Sequence, residues 1–130
     1  MGRHAPTAFV DTNVMIWLYG GMFDKISSAA QSFIKISNIV ASPMSILELR
    51  YLQEVRKISV SGPEIIKHLH KEIGLHVDSP ELLSITDAAM DLSWTRDPFD
   101  RLIVAHASMH GAFLISSYRR IATYYKLAIW

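Results

Sequence analysis

The stretch Arg96-Asp97-Pro98-Phe99-Asp100-Arg101-Leu102-Ile103-Val104-Ala105-His106-Ala107-Ser108-Met109-His110-Gly111 decides how the rest of the chain is read. It carries the start and stop of a helix. Asp97 is a favourable N-cap, Pro98 suits the first helical position because its missing N–H would be unpaired there anyway, and Gly111 suits the exit. The apolar run Leu102 to Ala107 predicts burial nearly all round, which makes the helix central. Asp97 and Asp100 then stand in its first turn, beside the partial positive charge of exposed backbone N–H groups. Taken alone, two acids three residues apart are a helix cap. They become a site only where other carboxylates arrive at the same place.

Outward from this helix, strands and helices alternate. Downstream, Ala112-Phe113-Leu114-Ile115 reads as a buried strand, Arg119 to Tyr125 as a short helix and Leu127-Ala128-Ile129 as a terminal strand. Upstream, Ser79-Pro80-Glu81 opens a helical stretch that ends near Trp94, preceded by a short strand at Leu75-His76-Val77. Ser61-Gly62-Pro63-Glu64 starts a helix with Ile65, Ile66, Leu69 and Ile73 on one face and Gly74 as its stop. Ser42-Pro43 breaks the strand Ile39-Val40-Ala41, and Ser45 with Glu48 frames the start of the next helix. Ser27 to Asn38 is helical, and Ala8-Phe9-Val10 is a strand ending in Asp11-Thr12-Asn13, followed by a helical turn that stops at Gly20-Gly21. This alternation predicts an α/β fold with a mostly parallel central sheet covered on both faces, residues 1–130 forming one domain.

Composition narrows the classes. Half of the 130 residues are hydrophobic, enough for a real core and too many for a disordered linker. A formal net charge of +1 leaves no global footprint for a polyanion, so contact with nucleic acid must come from a local patch. The absence of cysteine excludes disulfides, thiolate metal sites and a thiol nucleophile, and fits a reducing cytoplasm. Met1 to Thr7 shows no apolar signal core, and Val14 to Phe23 is interrupted by glycines and shorter than the about 20 apolar residues that span a bilayer. A cytoplasmic protein with no membrane association is expected.

In a parallel α/β sheet the carboxyl ends of the strands share one edge, where ligands bind. Asp11 closes the first strand, Glu48 is expected in the first turn of the helix after the second, and Asp100 in the first turn of the central helix. Each alone reads as a helix-start anion. Together in a partly buried pocket they would repel one another and raise their pKa values unless a cation neutralised them. Oxygen-only donors select a hard ion, Mg²⁺ or Mn²⁺, holding several waters. Such an ion activates water and stabilises phosphoryl charge, and two ions roughly 3.5–4 Å apart stabilise both attacking and leaving oxygens of a phosphodiester.

Val10-Asp11-Thr12-Asn13, Glu48 within Ser45-Ile46-Leu47-Glu48-Leu49, and Asp97-Pro98-Phe99-Asp100-Arg101-Leu102-Ile103 leading to Ala105 and Ala107 carry a resemblance over essentially the whole chain. The sequence resembles PIN-domain ribonucleases, and within them the VapC-type toxins of bacterial toxin–antitoxin pairs. The resemblance implies a three-layer α/β/α Rossmann-like fold and Mg²⁺- or Mn²⁺-dependent endoribonuclease activity. It also implies a homodimer neutralised by a cognate antitoxin. Carried over by position, Asp11, Glu48 and Asp100 are the implied catalytic metal ligands. Asp97 is implied to cap the helix, orient Asp100 or lend charge, and Thr12, Asn13 and Ser116 to support through hydrogen bonds.

One position departs from the pattern. The family usually places a fourth acidic residue after the last-but-one strand, in a Ser/Thr-x-Asp arrangement, whereas here Ser116-Ser117 is followed by Tyr118. Two readings therefore stand. In one, three acids suffice for RNA phosphodiester hydrolysis; in the other, the chain is a weakened or inactive module that binds antitoxin or RNA without cutting. Arg101, Arg119 and Arg120 are candidate phosphate contacts, each balanced by a solvated-arginine reading. Trp17 and Trp94 read as packing, and Tyr118 equally as a base-stacking or a surface residue. His106 and His110, at i and i+4, could ligate a metal, but no Glu follows His106 as in the zinc-protease pattern, and packing or surface is the plainer reading. His68 and His70 read as surface residues. The apolar helices between Val14 and Val55 offer more hydrophobic surface than a small monomer needs, which favours a dimer or a bound antitoxin peptide.

Overall fold

The computed structural model describes residues 4–130; Met1, Gly2 and Arg3, part of the segment expected to lack an export signal, lie outside the described residues. In chain order the elements are β1 (Thr7–Val10), α1 (Thr12–Tyr19), α2 (Ser28–Ile36), β2 (Asn38–Ala41), α3 (Pro43–Glu54), α4 (Gly62–Ile73), β3 (His76–Val77), α5 (Leu82–Ala89), α6 (Pro98–Met109), β4 (Phe113–Ile115), α7 (Arg119–Tyr124) and β5 (Ala128–Ile129), with a single 3₁₀ turn at Phe23–Lys25. The strands form one sheet in the order β3-β2-β1-β4-β5, and every pairing is parallel. The expected mostly parallel sheet is thus wholly parallel, because every strand-to-strand connection runs through at least one helix.

The layering follows from the period-2 alternation of strand side chains. Ala8 and Val10, Ile39 and Ala41, and Ile115 enter one core with Val14 and Met15 of α1, Ala30 and Ile34 of α2, Leu49 of α3, and Ile65 and Leu69 of α4. The alternate residues Phe9, Val40 and Leu114 enter a second core with Ile103, Val104 and Ala107 of α6 and Ile121 of α7. A three-layer α/β/α sandwich results. Burying each of these larger side chains contributes roughly 1.5–3 kcal/mol. α5 packs on the outside of α6, with Ile85 and Ala89 against Ala105. That outer contact buries Ala105 on the side of α6 turned from the sheet, so Ile103 to Ala107 are all buried. No helix among the described residues is long and apolar enough to cross a membrane.

Several boundaries shift by a residue or more from expectation, the Ser27 to Asn38 helix ending at Ile36 with Asn38 in β2, and two of the shifts have a visible cause. α3 begins at Pro43 rather than Ser45, because the Ser42 hydroxyl accepts from Met44 N–H at 3.2 Å and Pro43 occupies the first helical position. The Ser-Pro pair that reads as a strand breaker is also a helix start, and Glu48 consequently lies in the second turn of α3. α5 stops at Ala89 rather than near Trp94. There the Arg101 guanidinium donates to Ala89 O at 2.8 Å and Met90 O at 2.9 Å, satisfying helix-end carbonyls from another element. α7 stops at Tyr124, one residue short of the expected end. The exit of α6 is as expected: Gly111 takes φ +56°, a left-handed conformation that glycine adopts without steric cost.

Candidate functional site

Asp11 follows β1 directly and continues its pairing, its N–H donating to Ile115 O at 2.9 Å. Its side chain is buried, with 7% of the residue exposed, and both carboxylate oxygens are held: Oδ1 accepts from Thr12 N–H at 2.8 Å and Oδ2 from the Ser116 hydroxyl at 2.7 Å. Ser116, at the end of β4, is itself set by the Tyr118 N–H, which donates to Ser116 Oγ at 3.1 Å. Burial pushes the Asp11 carboxyl above its ordinary range. The Ser116 and Thr12 hydrogen bonds oppose that rise, and the charge of Asp97 adds to it.

The central helix delivers the next two acids. Asp97 is the N-cap of α6, its Oδ1 accepting from Phe99 N–H at 2.9 Å and Asp100 N–H at 3.0 Å. One oxygen of Asp97 is therefore committed to the cap, while its charge still acts on its neighbours. Asp100 makes no cap and is half-buried. Its carboxyl is pushed up to about 7, first by burial and then by the charges of Asp11, Asp97 and Glu48.

Glu48 reaches the same place from α3. Burial raises its pKa, Asp11 and Asp97 raise it further, and the nearby Thr12 hydroxyl partly offsets them. Glu48 Oε1 and Thr12 Oγ1 are nevertheless both buried without a well-formed hydrogen bond. Such orphaned oxygens are costly unless something electropositive meets them.

These groups line one pocket of about 320 Å³, bounded by Asp11, Thr12, Asn13, Glu48, Asp97, Asp100, Ser117 and Tyr118. None of the lining residues is cationic, and among the described residues the site carboxylates enter no ion pair. Four acids around one cavity, three of them with raised pKa values, form an unbalanced negative site. The donor set, all oxygen with two buried atoms unpartnered, fits a hard divalent cation with retained waters. Tyr118 lines this pocket and is exposed, so the position where a fourth carboxylate is usual carries a phenol at the rim.

The structure thus brings together Asp11, Thr12, Asn13, Glu48, Asp97 and Asp100 around the pocket, with Ser116 behind Asp11. It does not bring Arg101 there. That side chain is tied to the carbonyl end of α5, so its role is to close a helix. Arg120 donates to Trp94 O, and Arg119 is exposed at the start of α7 beside Tyr118. Trp17 and Trp94 pack against the two cores as expected, Trp94 stacking on Tyr124 with ring centroids 5.1 Å apart. Ser117 escaped the sequence reading, although its place directly after a strand-end serine marks it as part of the edge.

A second cluster was half seen. Of the packing and surface readings His106 takes the first, being fully buried, and with His110 it converges on Asp78, the residue that follows β3. Among the described residues, Asp78, His106 and His110 are the one trio of acidic or histidine groups whose ligand atoms all lie within 4.8 Å of one another. No three carboxylates of the acidic pocket come that close to one another. The signal for Asp78 was available: like Asp11, it is an aspartate at the end of a strand.

Comparison with known proteins agrees with this architecture. A family model described as PIN domain matches residues 8–127. The chain is similar to Ribonuclease VapC22 of Mycobacterium tuberculosis (strain ATCC 25618 / H37Rv), with 28% identity over 121 residues, covering 91% of this chain and 92% of the relative. Its fold is similar to a chain in the crystal structure of VapBC2 from Rickettsia felis bound to a DNA fragment from their promoter, with a TM-score of 0.67 and 15% identity, covering 94% of this chain and 96% of that one. With the strand-end aspartate, the α3 glutamate and the capped acidic start of α6 arranged as described, and the family model spanning nearly all of the described residues, the chain belongs to the PIN domain family.

Proposed function

We propose that this chain is a metal-dependent endoribonuclease of the VapC toxin type, hydrolysing RNA phosphodiester bonds to leave a 5′-phosphate and a 3′-hydroxyl. The observation that carries the reading is the pocket in which Asp11, Glu48 and Asp100 converge without a cationic side chain, with Glu48 Oε1 buried and unpartnered. The likeness to a protein named ribonuclease VapC22 supports the choice of RNA.

Asp11, Glu48 and Asp100 would hold Mg²⁺ or Mn²⁺. When bound, the ion supplies an activated water and neutralises charge on the phosphoryl group. The protein's part is placement. Ser116 and Thr12 N–H fix the Asp11 carboxylate, Asp97 fixes the first turn of α6 and so the backbone of Asp100, and burial within α3 fixes Glu48. Asn13, Ser117 and Tyr118 line the side of the pocket available to the RNA strand, and the exposed Arg119 follows Tyr118 in the chain.

Two exposed apolar rows support a partnered state. Leu47, Tyr51 and Val55 stand at i, i+4 and i+8 on and just after α3, and Leu82, Leu83 and Met90 stand on and just after α5. A second copy of the chain and a cognate antitoxin would cover such faces; the likeness to a VapBC2 complex supports that partner class. A reading as a binding module without cleavage rests on Tyr118, whose phenol stands at the usual place of a carboxylate.

The test is titration of Mg²⁺ or Mn²⁺ into antitoxin-free protein with labelled RNA, comparing the natural sequence with Asp11→Asn and Tyr118→Asp. Cleavage by the natural sequence that disappears in Asp11→Asn is the expected result. Cleavage only in Tyr118→Asp would identify a disabled nuclease, and silence in all three would replace the enzyme with the binding module.

A further inference from the structure

The far end of α6 carries a polar cluster that the acidic pocket does not use. His106 and His110 lie six and ten residues beyond Asp100, about 9 and 15 Å along the helix at 1.5 Å per residue. Both present Nε2 to the same oxygen, Asp78 Oδ2, at 2.7 and 2.8 Å. The three groups come from two elements and are separately anchored. Asp78 N–H donates to Ala41 O at 3.0 Å, extending the β2–β3 pairing. The His106 ring lies 4.7 Å from the Phe9 ring, and His110 stacks on Phe9 at 5.9 Å with 14° between the planes.

Solvent reaches the cluster from one side. The His106 side chain is fully buried, whereas those of His110 and Asp78 are 45% and 33% exposed. They open onto a cavity of about 370 Å³ lined also by Thr7, Phe9, Asn38, Val40 and His76. His76, in β3, precedes Asp78 by two residues, and because Asp78 N–H continues the β2–β3 pairing the two face the same side of the sheet. The cavity thus offers a fourth position to water or to a third imidazole.

We propose that Asp78, His106 and His110 form a second cation site, for a borderline-soft divalent ion of the Zn²⁺ class, separate in place and chemistry from the acidic pocket. Two histidines at i and i+4 on one helix face and a carboxylate from a second element are a donor set that suits Zn²⁺, Co²⁺ or Ni²⁺. Mg²⁺, which prefers oxygen donors and keeps its waters, is poorly served there. As the ion binds, the proton each ring now directs at Asp78 Oδ2 would shift from Nε2 to Nδ1, leaving a neutral imidazole with a free Nε2 lone pair, and the three ligand atoms spread only slightly to receive the ion. An ion in this position ties the end of β3 to the C-terminal half of the helix that carries Asp97 and Asp100.

The cost falls on His106. Its Nδ1 is buried without a partner, and it must hold the ring proton once Nε2 becomes the ligand. Loss of that supporting hydrogen bond weakens a site roughly 10–100-fold, so the ion should be held less tightly by about that factor than where every imidazole is supported.

The experiment is calorimetric titration of Zn²⁺ into untagged, chelator-treated full-length protein in excess Mg²⁺, with visible absorption of bound Co²⁺ as the coordination readout. The natural sequence and Asp100→Asn should each bind about one Zn²⁺ with matching affinity, and binding should raise the melting temperature. His110→Ala, at a half-exposed side chain, should fold and bind at least tenfold more weakly. His110→Gln, which keeps a hydrogen-bonding group near Asp78 but no imidazole, is held to the same outcome. No Zn²⁺ binding by the natural sequence, equal binding by both His110 variants, or binding lost in Asp100→Asn instead would each overturn the site.

Discussion

At its N-terminal end α6 presents Asp97 and Asp100 to Asp11 and Glu48, four carboxylates whose pocket has no cationic lining residue; at its C-terminal end it presents His106 and His110 to the single carboxylate of Asp78. The pKa directions separate the two ends. The carboxyls of Asp11, Glu48 and Asp100 are all raised, chiefly by burial and then by neighbouring carboxylates, with Asp97 acting on all three, so the cluster disfavours its own charge. Asp78 is lowered, first by the hydrogen bond from His106 and then by His110, while burial lowers the pKa of His106 and keeps its ring neutral. One end is unfinished without a cation, and at the other the carboxylate already accepts two hydrogen bonds. The hard ion of the acidic pocket therefore completes a site, whereas an ion at the histidine end must replace two hydrogen bonds already formed and shift both ring protons to Nδ1.

The largest effect expected from breaking this contrast is at Glu48. Glu48→Gln keeps the shape of the side chain and removes the charge that would hold the ion. Cleavage should fall by roughly 10²–10³-fold, the equivalent of several kcal/mol of lost charge stabilisation, with the circular dichroism spectrum unchanged. Full cleavage in this variant would remove Glu48 from the metal-holding set. A smaller loss is expected at Ser116, which touches Asp11 and not the pocket centre. Ser116→Ala leaves Asp11 Oδ2 without its donor and should cost roughly 10–100-fold in Mg²⁺ affinity, while Ser116→Thr, retaining a hydroxyl, should recover most of it. Equal Mg²⁺ affinity in the alanine variant would mean that Thr12 N–H alone orients Asp11.

The acidic end was legible in the sequence because its determinants are local. Asp97-Pro98 is both a cap and the positioning device of Asp100, and Asp11 is placed by the end of an apolar run. Glu48 was legible as a residue but misplaced by a turn, since Ser42 and Pro43 carry two meanings in sequence and the hydrogen bond to Met44 selects one. The histidine end was legible only as an i, i+4 pair. Its third member lies 28 residues away from His106, and pairing across that separation depends on the β2–β3 register, which two residues of strand do not declare. Arg101 escaped for the same reason: nothing near it in the chain marks the carbonyls of Ala89 and Met90 as its partners.

The smallest effects expected are on the stability of the metal-free protein, and they sharpen the comparison because the two ends should move it in opposite directions. Asp100 has an ordinary pKa of 3.8 that rises to about 7 in the fold. Between these values the native state binds the extra proton, so its contribution is complete below pH 3.8, declines as the pH rises and levels off above about 7. Asp100→Asn should therefore gain on the natural sequence through that window. Allowing for screening of the half-exposed side chain, the gain at pH 8 is about 1–2 kcal/mol, or roughly 3–6 °C in melting temperature. Saturating Mg²⁺ should raise the melting temperature of the natural sequence alone and narrow that lead. Asp78 has the reverse sign: its pKa is lowered from 3.8, so its contribution is present above that value and lost as the pH falls through the native pKa. Asp78→Asn weakens the acceptor shared by two imidazoles and should cost about 1 kcal/mol near pH 7, roughly 3–4 °C, with the deficit closing in acid. Thermal melts of the three proteins from pH 3 to 8, with chelator present, decide it. A stabilising Asp78→Asn would mean that the histidine end, like the acidic end, holds a charge the fold alone does not compensate, and would break the distinction between the two ends of the helix.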